Sequence, residues 1–196
     1  MYCAPPVINK YHLEDLNRSG LNTQTIRMAK IHSVSPEEAK KISGRKEDIG
    51  SGLAFPYPGI NGKNTFTRLK PDKPPPGSDG KPAKYLTTTG AGNRLYIPVT
   101  LAPNVLVDAG IPLLITEGEK KALKAAQEGF DCIALAGVWC FRQKDKGSGE
   151  SVPIPDLDKI TWKDRAVYLV YDSDLAKKPD VQKAESTLAE ELWGRG

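Results

Sequence analysis

The chain has 196 residues, of which 39% are hydrophobic and 27% charged, and a formal net charge of +4. That length can bury a sizeable core, as one domain with an accessory piece or as two small domains, and the composition excludes collagen-like and disordered classes. No apolar stretch approaches the roughly eighteen residues of a membrane span, and the opening MYCAPPVINKYHLEDL lacks the basic start and apolar run of a secretion signal, so a cytoplasmic protein is expected.

Taken in chain order, HLEDLNRSGLNTQTIRMAKIH sets Leu13, Leu16, Leu21, Ile26, Met28 and Ile31 around a break at Ser19-Gly20. Two short helices joined by a turn fit this pattern, with Asn22 or Thr23 capping the second. Ser35-Pro36-Glu37-Glu38 then reads as a cap, a proline at the first helical position and acids in the first turn of a helix that ends by Gly44. Residues 1–48 are accordingly expected to be helical. In residues 49–110 the texture turns to short β-like runs, LAFPYP, NTFTRLK and NRLYIPV, and the proline-rich Pro71 to Pro82 is expected to be an exposed loop.

Residues 111–196 follow another period. Ile111 to Thr116 is a short apolar run, EKKALKAAQEG a strong helix former closed by Gly129, and Asp131 to Gly137 apolar again, which together predict a βαβ crossover with parallel strands. AVYLVYD adds a further strand. In the following PDVQKAESTLAEELW, Val181, Ala184, Leu188 and Leu192 form one apolar helical stripe. The fold class is therefore α/β, a parallel sheet flanked by helices, preceded by an accessory region of helices and β-structure.

Crevices in open parallel sheets lie at the carboxyl ends of the strands, and three acids occupy those ends here. Glu117 follows LLIT, and Asp172 and Asp174 follow VYLVY. If the strands are neighbours, these carboxylates repel one another unless a cation neutralises them. Oxygen-only donors favour Mg²⁺ or Mn²⁺ over Zn²⁺. A helix-approach cap at Asp172 and a solvated loop acid at Asp174 is the simpler alternative. Cys3, Cys132 and Cys140 are scattered and odd in number, so reduced thiols are expected rather than a disulfide framework or zinc site.

Glu117-Gly118 after one hydrophobic strand, and Asp172-x-Asp174 after another, resembles a Toprim domain, the metal-binding catalytic fold of bacterial-type primases, topoisomerases and related nucleases. More narrowly, LLITEGEKKALKAAQEGFDCIALAGVW with VYLVYDSD resembles the Toprim-like domains (DUF3854 type) of phage and plasmid replication proteins. HLEDLNRSGL, FPYPG, TRLKPD and KYLTTTGAGNRLYIP resemble the accessory region of the same proteins. The resemblance implies that Glu117 acts as acid/base or helps hold metal, and that Asp172 and Asp174 bind Mg²⁺ or Mn²⁺. Where many Toprim proteins have glycine soon after the DxD, this chain has Leu175-Ala176-Lys177-Lys178, which changes how phosphate approaches.

The implied chemistry is nucleotidyl or phosphoryl transfer, most specifically primer synthesis from nucleotides on a single-stranded DNA template, with a replicative helicase as a partner and no membrane. Arg68, Lys70, Lys84 and Arg94 are the basic candidates for nucleic acid or nucleotide, and Tyr85 and Tyr96 are the aromatic ones for base stacking. Of Lys120, Lys121 and Lys124 in the helix after Glu117, one is expected to face the acids and the others solvent, and Lys120 is counted among the nucleic-acid or nucleotide candidates. His12 and His32 receive no chemistry, and Trp139 and Phe141 are expected to close a core. A Toprim-type nuclease, a non-catalytic nucleic-acid-binding module and, more remotely, a haloacid-dehalogenase-like phosphatase with Asp172 as nucleophile remain as alternatives.

Overall fold

The structure is a computed structural model and describes residues 7–59, 64–77, 80–88, 90–172 and 178–196. The chain divides into two compact units, residues 1–91 and 92–196. The division falls upstream of the change of texture at residue 111, because Leu95, Val105 and Leu106 belong to the core of the second unit.

In the first unit, α1 (Lys10–Arg18) and α2 (Thr23–Met28) are separated at Ser19-Gly20 as the sequence predicts. Asn22 is the cap of α2, its side chain accepting the Thr25 N–H. The strand β1 (His32–Val34) leads into α3 (Pro36–Ser43), where Ser35 and Glu38 form a reciprocal capping box and Gly44 ends the helix at φ 70°. β1 pairs antiparallel with β2 (Gly52–Pro58), and β2 with β3 (Asn64–Pro71), giving a sheet in the order β1-β2-β3. Val34, Ala39, Ile49, Ala54, Leu69 and Leu86 close a core between this sheet and α3.

A polar network ties the unit together. His12 is buried, with Nδ1 2.7 Å from Ser33 Oγ and Nε2 2.8 Å from Asp72 Oδ1, while Ser51 donates to Asp72 Oδ2 at 2.6 Å. A proton on Nε2 lets His12 donate to Asp72 and accept from Ser33, so both ring nitrogens are satisfied. Thus His12, to which the sequence assigns no chemistry, joins α1 to β1 and to the end of β3. Burial alone would raise the Asp72 pKa, but the hydrogen bonds from Ser51 and His12 outweigh it and hold this carboxyl below the usual range.

In the second unit, β4 (Leu113–Glu117), α4 (Glu119–Gln127) and β5 (Cys132–Leu135) form the expected βαβ crossover, with Gly129 past the helix end at φ 87°. A hairpin of β6 (Arg142–Lys144) and β7 (Ser151–Pro153) follows, then β8 (Val167–Val170) and α5 (Pro179–Trp193). The parallel sheet runs β5-β4-β8, with β4 central. Leu113, Ile115, Leu188 and Leu192 share one core, so the predicted α5 stripe does pack on the sheet; on β8, Tyr168 and Val170 stay exposed. NRLYIPV contributes a single bridge, Tyr96 to Ala134, rather than a strand. Arg165 donates to the carbonyls of Val105, Leu106, Ile111 and Thr161, satisfying loop carbonyls next to the core. Among the described residues no helix is long and apolar enough to cross a membrane, and Cys132 and Cys140 are free thiols.

His12→Ala removes the link among three segments and leaves Ser33 and Asp72 short of a partner, an expected loss of about 1–3 kcal/mol. Urea unfolding monitored by circular dichroism checks this, and an unchanged midpoint refutes it. Because the Asp72 pKa lies below its unfolded value of 3.8, its contribution is present above that pH and is lost as pH falls through the folded value. The acid limb of stability should be shallower in Asp72→Asn than in the parent.

Candidate functional site

The register of the parallel sheet builds the site. Thr116 is level with Leu135's neighbour Ala134 on one side and with Val170 on the other, and the Thr116 hydroxyl donates to the Val170 carbonyl at 2.7 Å. Glu117 therefore leaves β4 at the same edge as Tyr171-Asp172 leaves β8. The strands that carry these two acids are adjacent and parallel. Asp174 lies outside the described residues, as do Leu175 to Lys177 of the following loop.

Gly118 turns the chain from β4 into α4. Its N–H donates to the Leu135 carbonyl at 2.8 Å, and its φ of 88° is open to glycine and costly for a residue with a Cβ. No atom lies within 4 Å of where that Cβ would stand, so the requirement is backbone conformation and not space. The helix then starts at Glu119, and Glu119, Ala122 and Leu123 are its buried residues. This phase brings Lys121 to the strand ends: Lys121 Nζ lies 2.6 Å from Asp172 Oδ1, with both side chains about half-exposed. Lys120 is half-buried and Lys124 pairs with Glu128 along the helix.

Tyr171 directly precedes Asp172 and follows Val170, the register partner of Thr116. Its phenol is buried without a hydrogen-bond partner among the described residues, and burial, the Glu117 charge and the Glu185 charge raise its pKa. It stays protonated at neutral pH. Trp139, after β5, reaches across to the start of α5, its indole N–H lying 3.2 Å from both carboxylate oxygens of Asp180. Trp139 packs partly on the core and stacks 6.1 Å from Phe141, which is fully buried, in line with their expected role. The Trp139–Asp180 contact anchors the far end of the segment that begins at Asp172, a task the sequence did not signal.

Carboxylate oxygens are the donors at hand, and they suit a hard divalent ion. Asp172 already draws a cation, the Lys121 ammonium, which is the environment an ion would find. Among the described residues no group of three or more His, Cys, Asp and Glu side chains forms a complete metal cluster.

The remaining candidates divide between the units. In the first, the Arg68 guanidinium lies 4.5 Å above the ring of Tyr85, whose other neighbour is Phe55 at 6.2 Å. Lys84 is exposed beside them in sequence, whereas Lys70 is engaged by Asp15 at 2.8 Å. In the second unit Arg94 is half-buried, and Tyr96 is 1% exposed, so Tyr96 is a core residue rather than a surface for bases. Burial, with the nearby Glu119 charge, drives its phenol pKa upward.

Comparison with known proteins agrees with this architecture. Residues 103–196 match the family described as a domain of unknown function (DUF3854). An uncharacterised protein of Picosynechococcus sp. is 35% identical over 86 residues, which are 41% of this chain and 8% of that protein. Over 91% of its length the chain is similar to the primase of Aquifex aeolicus, zinc-binding and RNA polymerase domains, with a TM-score of 0.60, 16% identity and 46% of that chain covered. It is likewise similar to a DnaG primase catalytic domain bound to single-stranded DNA, with a TM-score of 0.56, 17% identity and coverage of 91% of this chain and 58% of the other. At such identities the likeness is one of fold. The chain spans about half the length of these solved structures and a small part of the curated relative. Residues 103–196 thus match the DUF3854 description, and the chain shares the α/β fold of these solved primase structures.

Gly118→Ala should cost about 1–2 kcal/mol through the left-handed backbone alone. A fall in the urea midpoint of that size, with no gain from any compensating contact, is the expected result; a neutral or stabilising effect contradicts the assignment of strain to Gly118.

Proposed function

We propose that this chain carries out divalent-ion-dependent nucleotidyl transfer on nucleic acid, and specifically primer synthesis on a single-stranded DNA template. The observation that carries the reading is the departure of Glu117 and Asp172 from adjacent parallel strands at one edge of the sheet. A primase-like fold supports it over other transferase classes.

Glu117, Asp172 and Asp174 would hold Mg²⁺ or Mn²⁺. Such an ion supplies neutralisation of phosphate charge and orientation of an in-line displacement. Glu117, less constrained than a carboxylate paired to a lysine, is the group placed to accept a proton from an attacking hydroxyl. Tyr171, held neutral by burial and by Glu117, adds a phenol O–H next to the acids without adding charge.

Template contacts are assigned to Arg68, Lys84, Tyr85, Arg94 and Lys120, with Lys70 contributing only where Asp15 releases it. Arg68 over Tyr85 makes a preformed stack whose planar groups suit unpaired bases, and Lys84 beside it suits the backbone. The whole protein would act in replication of a phage, plasmid or other mobile element, alongside a replicative helicase.

Two substitutions test the reading. Incubated with single-stranded DNA, labelled nucleotides and Mg²⁺ or Mn²⁺, the parent should make short oligomers, and Glu117→Gln and Asp172→Asn should lower the yield by about 100-fold or more while DNA binding persists. Nicking of the DNA in place of oligomers would assign the site to a nuclease. Binding with no chemistry in the parent would leave a non-catalytic module. Tyr85→Ala should weaken binding of single-stranded DNA by about 1–3 kcal/mol, the value of one stacked base, measured by fluorescence anisotropy at fixed salt.

A further inference from the structure

Lys121 occupies a position that helix electrostatics disfavours. It lies in the first turn of α4, where the helix presents its positive end and acids are the stabilising residues. The helix positions three and four residues on, Lys124 and Ala125, offer it no carboxylate, and its ammonium instead crosses to Asp172 on the adjacent strand end at 2.6 Å. The two residues that follow, Ala122 and Leu123, are fully buried against the sheet, so the helix cannot rotate to carry Lys121 elsewhere. By contrast, Lys124 satisfies itself within the helix through Glu128.

We propose that Lys121 is the resident counter-cation of the acidic crevice, and that a divalent ion binds there by displacing its ammonium from Asp172. This rests on the reading of Glu117 and Asp172 as ion-holding residues. An ammonium at hydrogen-bond distance from Asp172 Oδ1 and a divalent ion on the same oxygen repel each other, so the two occupy the carboxylate in turn. The exchange is feasible because both side chains are about half-exposed, where an ion pair is weak, and because lysine carries its charge on a flexible stem. Lys121 therefore sets the ion concentration at which the crevice loads, and keeps its carboxylates from repelling one another when no ion is bound. It acts on the ion as a competitor and is not itself a ligand.

The test is Mn²⁺ binding by the whole 196-residue chain, read from the electron paramagnetic resonance signal of free Mn²⁺ without nucleotide or DNA. Lys121→Met should bind Mn²⁺ about two- to ten-fold more tightly than the parent, from the lost pairing and lost repulsion together. Lys121→Arg, which keeps the charge, should stay near the parent. Lys124→Met removes one positive charge from the same helix away from Asp172 and should also stay near the parent. Asp172→Asn should lose most of the affinity. Equal or weaker binding by Lys121→Met overturns the proposal, as does equal tightening by Lys124→Met, which would reveal a general charge effect. If Asp172→Asn binds like the parent, the reading of the crevice as an ion site fails, and the competition falls with it.

Discussion

The alignment of β4 against β8 is the constraint on which the site depends. Parallel pairing from Leu113 with Val167 to Thr116 with Val170 fixes the level at which each strand ends, and both ends carry an acid. Since side chains alternate along a strand, a slip of one residue would turn Ile115 and Leu169 out of the core and carry the acids off the common edge. The hydrophobic register and the polar site are thus one choice. The bond from the Thr116 hydroxyl to the Val170 carbonyl, made at the last paired position, reinforces that register where it matters most.

Charge is handled differently in the two units. Around the buried His12 the first unit satisfies its polar groups with one another, an imidazole, two hydroxyls and the partly exposed Asp72 carboxylate closing into one network. At the strand ends of the second unit the acids are left toward solvent, with a lysine as the nearest opposite charge. A closed network of the first kind holds segments in place, whereas an open one of the second kind remains available to a ligand. The contrast separates structural polarity from functional polarity more clearly than residue type does.

Much of this was legible in the sequence because it is written in local patterns. The break at Ser19-Gly20, the capping box from Ser35 to Glu38 and the βαβ period from Ile111 to Gly137 each need only a few adjacent residues to specify them. The sequence left the adjacency of β4 and β8 as a condition, and their parallel pairing meets it. What escaped depends on distance or on phase. β1 has three residues, too few to show alternation, and its partner lies some twenty positions on. His12 finds Asp72 sixty residues away. Tyr96 stands in a short β-like run that leaves a stacking role and a core role both open, and only its burial against Ala134 decides for the core. Which lysine meets Asp172 turns on where α4 begins, which the backbone of Gly118 decides and spacing alone does not.

The indole of Trp139 gives the domain a built-in optical reporter. Its N–H is tied to Asp180 at the start of α5, close in sequence to the loop that leaves Asp172, while its ring rests on the core beside Phe141. Emission from such an indole shifts in colour and intensity when its hydrogen bond is broken or its ring becomes wetter. Rearrangement at the start of α5 can therefore be followed by the protein's own fluorescence, once the contributions of Trp162 and Trp193 are removed.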